Sequence, residues 1–165
     1  MLDPKFVIVH CSDAPWGHAI AIDQWHRDKP REWRMIGYHY VIGNGRPWSE
    51  LGEDPLTNGN LEAGRPLTED GAHLSWNERR EGCEASNRNA IGVCLVGKTH
   101  FSALQITRLY SVVLYLMERY GIALDHVLGH YEVQGNKTCP NLPMDRVRAM
   151  LAGSITVDEF CKEVL

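Results

Sequence analysis

Two short runs, FVIV at residues 6–9 and IGVCLV at 91–96, are almost wholly apolar and rich in β-branched side chains. Without polar alternate positions, such runs fit strands covered on both faces, and those need helices to cover them. The chain supplies them. AIAIDQWHRD at 19–28 sets Ala21, Ile22 and Trp25 on one side, and Pro30 halts it. After Ser102, with Gln105 as its capping-box partner, Leu109, Val112, Val113, Leu116 and Tyr120 form one stripe that Gly121 closes. YHYVI at 38–42 alternates as a strand, and HVLGH at 126–130 is a short strand that delivers His130 to its end. Pro143 opens a helix reaching Met150 or Leu151, and Thr156 with Glu159 caps a further turn or two in the tail. Residues 43–72, with NG pairs at 44 and 58, read as loop and turn with room for a hairpin near NLEAGR. The expectation is one α/β domain over residues 1–165, a central mixed sheet flanked by helices.

Charge and composition narrow the function classes. Seventeen Lys and Arg against 21 Asp and Glu give a net charge of -4, which provides no general field for nucleic acid or an anionic membrane. No apolar run is long enough to span a bilayer. The start, MLDPKFVIVHCSD, lacks the basic, apolar and small-residue regions of a signal peptide. Five cysteines, at 11, 83, 94, 139 and 161, are an odd set without regular spacing, so thiols made in a reducing compartment serve as filler or ligands. Asp13, Glu53 and Asp54 do not form the carboxylate pair that cleavage of a sugar chain requires.

The stretch GHYEVQGNKTCPN, residues 129–141, gathers His130, Lys137 and Cys139 with no regular periodicity. On spacing alone two readings stay open. It is an irregular surface loop with incidental reactive groups, or half of a metal site completed from elsewhere. His10, just past the FVIV strand, would supply a third donor, and a His-His-Cys set leaves a tetrahedral ion one open position.

At these residues the chain resembles the type-2 N-acetylmuramoyl-L-alanine amidases, the family shared by amidase-type phage lysozymes and peptidoglycan recognition proteins. VIVHCSD at 7–13 is similar to the family's first strand and first zinc histidine, and IDQWHRDKPREWRMIGYHYVI at 22–42 to its helix, connector and second strand. LEAGRPLTEDGAH at 61–73 carries the Gly-x-His pattern, NRNAIGVCLVG at 87–97 the asparagine-led central strand, VLGHYEV at 127–133 the second histidine, and KTCPN at 137–141 the lysine and cysteine. The match runs over about residues 5–151, leaving 152–165 as a short extension.

The resemblance implies one Zn²⁺ per chain on His10, His130 and Cys139, with Tyr38 and Lys137 catalytic and His73 and Asn89 behind the metal or along the groove. It implies a monomer acting on peptidoglycan, most like a phage endolysin, made in the host cytoplasm and reaching the wall once the inner membrane is permeabilised. A muropeptide-recycling amidase is the nearest alternative, and a non-catalytic peptidoglycan binder, which typically lacks the zinc cysteine, is the rival from another class. His18, His26, His39, His100 and His126 read as surface or partly buried, Cys11 and Cys94 as core, and Trp16, Trp33, Trp48 and Trp76 as loop residues. Two segments are longer than in the small phage enzymes, 43–57 and 75–86, and both are expected to border the groove.

Overall fold

The computed structural model describes residues 3–50 and 52–165; Met1, Leu2 and Leu51, the last within the long 43–57 segment, lie outside the described residues. Five strands form one mixed sheet in the order β3-β2-β4-β1-β5: β1 Phe6–Cys11, β2 Tyr40–Asn44, β3 Asn58–Ala63, β4 Ala90–Leu95 and β5 Val127–Gly129. β1 lies parallel between β4 and β5, β2 is parallel to β4, and β3 closes one edge antiparallel to β2. The hairpin expected near NLEAGR is this edge pair.

Alternation along β1 and β4 sorts the side chains between two layers. Val7, Val9, Cys11, Ile91, Val93 and Leu95 join the main core under helices α2 (Ala103–Tyr120), α4 (Met144–Leu151) and α5 (Val157–Val164). The opposite face is covered in two pieces. Helix α1 (Ala19–Arg27) packs Ala19 and Ile22 on Val41 and Val96 at one end, while Ala85 and Cys83 seat the second long segment on Phe6, Ile8 and Ala90 at the other. The uncovered strip between them is where the site lies.

Helix α2 carries the capping box expected from Ser102 and Gln105, and Gly121 ends it at φ 65° in the left-handed region that favours glycine. The Gln105 amide also reaches past the cap. Its Nε2 donates to the Ile42 and Val96 carbonyls at 3.2 and 2.8 Å, tying the helix start to the ends of β2 and β4. No helix among the described residues is long and apolar enough to cross a membrane.

The second strand begins later than the alternation of YHYVI predicts. Tyr40 packs with the α2 layer, so alternation would send Tyr38 there too; it packs instead with Ile22, Ile36 and Val41 on the α1 side. The chain is irregular until Tyr40, and that irregularity turns Tyr38 toward the open strip.

The tail is more than an appendage. Thr156 and Glu159 form a second capping box at α5, and Phe160 is fully buried in the main core. Phe160→Ala is therefore expected to cost about 3–5 kcal/mol. Chemical denaturation of the two proteins reads this directly; a loss below about 1 kcal/mol would mean that α5 is only laid on the surface.

Candidate metal centre and active site

Register brings the first two donors together. Val9 pairs with Gly129 across the parallel β1 and β5, so His10 and His130 leave adjacent strands at the same end. His130 then opens a one-turn helix, α3 (His130–Val133), which the Glu132 carboxylate ties to α4 through two bonds from Arg148 at 2.9 and 3.0 Å. The chain after it returns Cys139, whose carbonyl accepts from Tyr131 N–H at 2.9 Å. One ligand atom from each of His10, His130 and Cys139 lies within 4.8 Å of the others. Residues far apart in sequence thus converge as a three-donor set.

The hydrogen bonds decide which nitrogen each imidazole presents. The Ala90 carbonyl can only accept, so His73 Nε2 carries the proton toward it at 3.3 Å, leaving His73 Nδ1 as an acceptor. His10 Nε2–H donates to that Nδ1 at 2.9 Å. His10 Nδ1 is left with a free lone pair, 3.9 Å from Cys139 Sγ. A Cβ on Gly92 would lie 2.8 Å from the His73 ring, so only glycine lets His73 lie flat against β4 and reach His10.

Gln134 does the same for His130. Its Oε1 accepts Ser75 N–H at 3.0 Å and its Nε2 donates to Glu78 Oε2 at 2.9 Å, which fixes the amide orientation. His130 Nε2–H therefore donates to Oε1 at 2.6 Å, and His130 Nδ1 is the nitrogen left for an ion. Nothing in the motif spacing marked Gln134. The available signal was its position four residues after His130, one turn along α3.

Both imidazoles are neutral. Burial, followed by the neighbouring His73 and His130, pushes His10 far below its ordinary pKa, and burial lowers His130. His73 is pushed down to about 3, chiefly by burial. The Cys139 thiol is held up, by its contact with Cys11 and by burial, so its thiolate needs a cation beside it. Cys11 N–H points at that sulfur from 3.0 Å, a donor suited to the charged form. Two neutral imidazoles and one thiol that ionises against a cation fit a borderline-soft divalent ion with an open fourth position.

His130 opens onto a cavity of about 310 Å³, lined also by Tyr38, His73, Glu78, Gln134 and Lys137 and continuing to Arg31 and Trp33. The Tyr38 ring sits 5.0 Å from that of His10, and burial, with smaller contributions from nearby thiols, raises its pKa well above the ordinary value. Its phenol stays a donor. Lys137 Nζ stands 3.6 Å from Glu78 Oε2, the only carboxylate among the described residues lining this cavity.

Several expectations are corrected here. Asn89 is not at the groove: its Oδ1 accepts from Ser86 N–H at 2.7 Å and its Nδ2 donates to Glu84 O at 3.1 Å, which makes it the brace of the turn before β4. The asparagine that serves the site is Asn87, whose Oδ1 accepts the His73 and Leu74 N–H groups at 2.9 and 3.0 Å. His18, His26 and His39, expected at the surface or partly buried, are all buried. His26 Nδ1 accepts Gly37 N–H and the ring lines the cavity edge; His39 Nδ1 accepts Gly92 N–H and braces the sheet. His126 stacks on Phe6, away from the site, and His100 is exposed. Of the two long segments only 75–86 borders the cavity; no described residue of 43–57 lines it.

Comparison with known proteins agrees with this geometry. The family model described as N-acetylmuramoyl-L-alanine amidase matches residues 1–142. The chain is 28% identical over 151 residues to the endolysin of Escherichia phage T7, covering 85% of this chain and 82% of that protein, and 27% identical over the same length and shares to the endolysin of Enterobacteria phage T3. Among solved structures, the N-acetylmuramoyl-L-alanine amidase LysC of Clostridium intestinale URNW superposes with a TM-score of 0.71 at 25% identity, covering 92% of this chain and 87% of that one.

Removing the Gln134 amide should loosen the ion without unfolding the sheet. Gln134→Leu is expected to weaken divalent-metal affinity roughly 10–100-fold in competition with a chromophoric chelator, while Asn89→Ala leaves it unchanged. Affinity equal to the parent's in Gln134→Leu would make the His130 bond incidental. Because the imidazoles are already neutral and the thiol is not ionised, uptake near neutral pH should release about one proton per ion, and affinity should fall about tenfold per unit drop in pH. Calorimetry in buffers of different ionisation enthalpy counts the proton; zero would remove Cys139 from the ligand set.

Proposed function

The chain belongs to the N-acetylmuramoyl-L-alanine amidase family and is an amidase-type hydrolase, and from that premise we propose that it is a zinc enzyme cutting the amide between N-acetylmuramic acid and the L-alanine of the peptidoglycan stem. The observation that carries this reading is the convergence of His10, His130 and Cys139, with His130 lining a cavity that also holds Tyr38 and Lys137. When bound, Zn²⁺ supplies a Lewis acid that polarises the scissile carbonyl and makes a water acidic enough to attack at neutral pH.

The protein's own groups do the rest. His10 and His130 hold their Nδ1 lone pairs inward because their Nε2 protons are committed to His73 and Gln134. Tyr38, kept protonated by burial, donates from its hydroxyl to the carbonyl or to the attacking water. Lys137 brings a cation to the oxygen that becomes an oxyanion at the tetrahedral stage. Its pairing with Glu78 contributes little to stability at this exposure, but it holds the long side chain over the cavity. A lone carboxylate there does not meet the two-carboxylate requirement of glycoside cleavage.

Similarity to two phage endolysins supports a lytic role; the proposal adds synthesis in a bacterial host's cytoplasm and action on the wall after the inner membrane is breached. Cys139 weighs against a binding protein without activity, because the thiolate is the one charged donor of the set.

Purified wall digested with the zinc-loaded protein should release stem peptides bearing a new L-alanine amino terminus, with reducing sugar ends at background. New reducing ends without free peptides would overturn the reading. Intact wall left uncut beside rapid cleavage of soluble anhydro-muropeptides would move the protein to a recycling role. Lys137→Ala should keep its zinc and its affinity for wall and lose about a hundredfold in rate, the usual effect of one oxyanion donor. Loss of zinc in that variant would make Lys137 structural instead.

A further inference from the structure

The long 75–86 segment builds a second cavity, of about 510 Å³, that shares Leu74 and Ser75 with the histidine cavity and continues from it to residues 85–88. Its wall is fixed. Ala85 is fully buried, Arg79 bridges Gln134 through the backbone, and Ser75 N–H is bound by the Gln134 amide. On this wall the Arg79 guanidinium stacks 4.4 Å above the ring of Trp76, which is itself 73% exposed. Its one side-chain hydrogen bond among the described residues is a long one, Nη1 to the Ala85 carbonyl at 3.4 Å. Arg79 is half-buried and forms no ion pair among the described residues, whereas Arg88 on the same cavity faces Asp70 at 3.6 Å. A half-buried guanidinium stacked on an indole, with N–H groups unused among the described residues, is arranged to receive a planar anion, and carboxylate is the anion whose shape its fork matches.

We propose that this cavity is a subsite for the peptide stem, with Arg79, held on Trp76, receiving a free carboxylate of the stem. The proposal rests on the amidase reading above and names which half of that substrate runs toward residues 75–88. Charge decides between the halves. The glycan side consists of N-acetylated sugars whose lactyl carboxyl is consumed in the scissile amide, so it offers a guanidinium no anion. The stem beyond L-alanine carries free carboxylates, and in an extended chain each residue advances about 3.3–3.6 Å, so a stem of a few residues reaches from one cavity into the next. The exposed Trp76 face gives the stem's aliphatic portions an apolar surface beside the ion pair.

Binding of the free stem tetrapeptide to the zinc-loaded protein, followed by NMR with the Trp76 indole resonance assigned through Trp76→Phe, tests this without turnover. The parent protein should bind with the Trp76 signal shifted. Arg79→Ala should bind at least tenfold more weakly, a peptide with its carboxylates amidated should lose a similar factor, and the variant should lose nothing further with the amidated peptide. Arg79→Lys, which keeps the charge but not the planar fork, should fall between. Equal binding by Arg79→Ala, indifference to amidation, or an unmoved Trp76 signal at saturation would each overturn the subsite. The wall-digestion products are read separately: cleavage without peptide binding leaves the amidase reading standing and removes the subsite, and binding without cleavage does the reverse.

Discussion

His10 is wholly buried at the end of a central strand, and a buried imidazole requires partners for both of its nitrogens. Much of the surrounding structure answers that requirement. On one side stands His73, itself oriented by the Ala90 carbonyl and admitted to the sheet by the missing side chain of Gly92. The other nitrogen meets Cys139 and His130, brought up by the return of the chain after β5. Had the His73 tautomer been reversed, His10 would have had to offer its lone pair to His73 and its proton to the metal position. A hydrogen bond to a backbone carbonyl, one ring removed from the ligand, therefore selects the nitrogen that can bind.

The parts of this arrangement legible in the sequence were those fixed by short-range rules. β1, β4 and α2 followed from continuous apolar runs and from a stripe with caps, and His10 and His130 could be placed at strand ends for the same reason. Tyr38 was placed in a regular strand that starts two residues too early, because alternation reports side-chain chemistry and not where hydrogen bonding begins. Asn89 and Asn87 occupy the same short stretch and have the same chemistry. Only the fold shows that one braces a turn and the other holds His73. Gln134 was missed for a related reason, since its role depends on a segment more than fifty residues away.

That dependence gives the 75–86 segment a different standing from 43–57, although both look like loop insertions in the sequence. The described residues of 43–57 run from the end of β2 to β3, where Asp54 caps a single turn by accepting Leu56 N–H, away from the cavity. Residues 75–86 are bound at both ends of their contact with the site. Glu78 meets Gln134 and Lys137, and Ser75 meets Gln134. Movement of this wall must therefore disturb the groups that orient one ligand and the lysine beside it. Any force on this wall acts on the bonds that orient His130, so the wall and the candidate ligand set form one network.

The cost of such a network is a row of imidazoles kept neutral away from water. Burial holds His73 down to about 3 and His26 to about 4, against an ordinary value of 6.5. Groups whose pKa falls on folding contribute stability above their unfolded pKa and lose it as the pH drops through the window between the two values, so acid works against this fold through its own site. A bound cation opposes that loss, since it binds the folded donor set and stabilises it in proportion to the logarithm of its concentration over its dissociation constant. The sheet and the α2 layer, dry and apolar, carry the fold on one face, while on the polar face a cation between the donors would be the charge that lets Cys139 ionise.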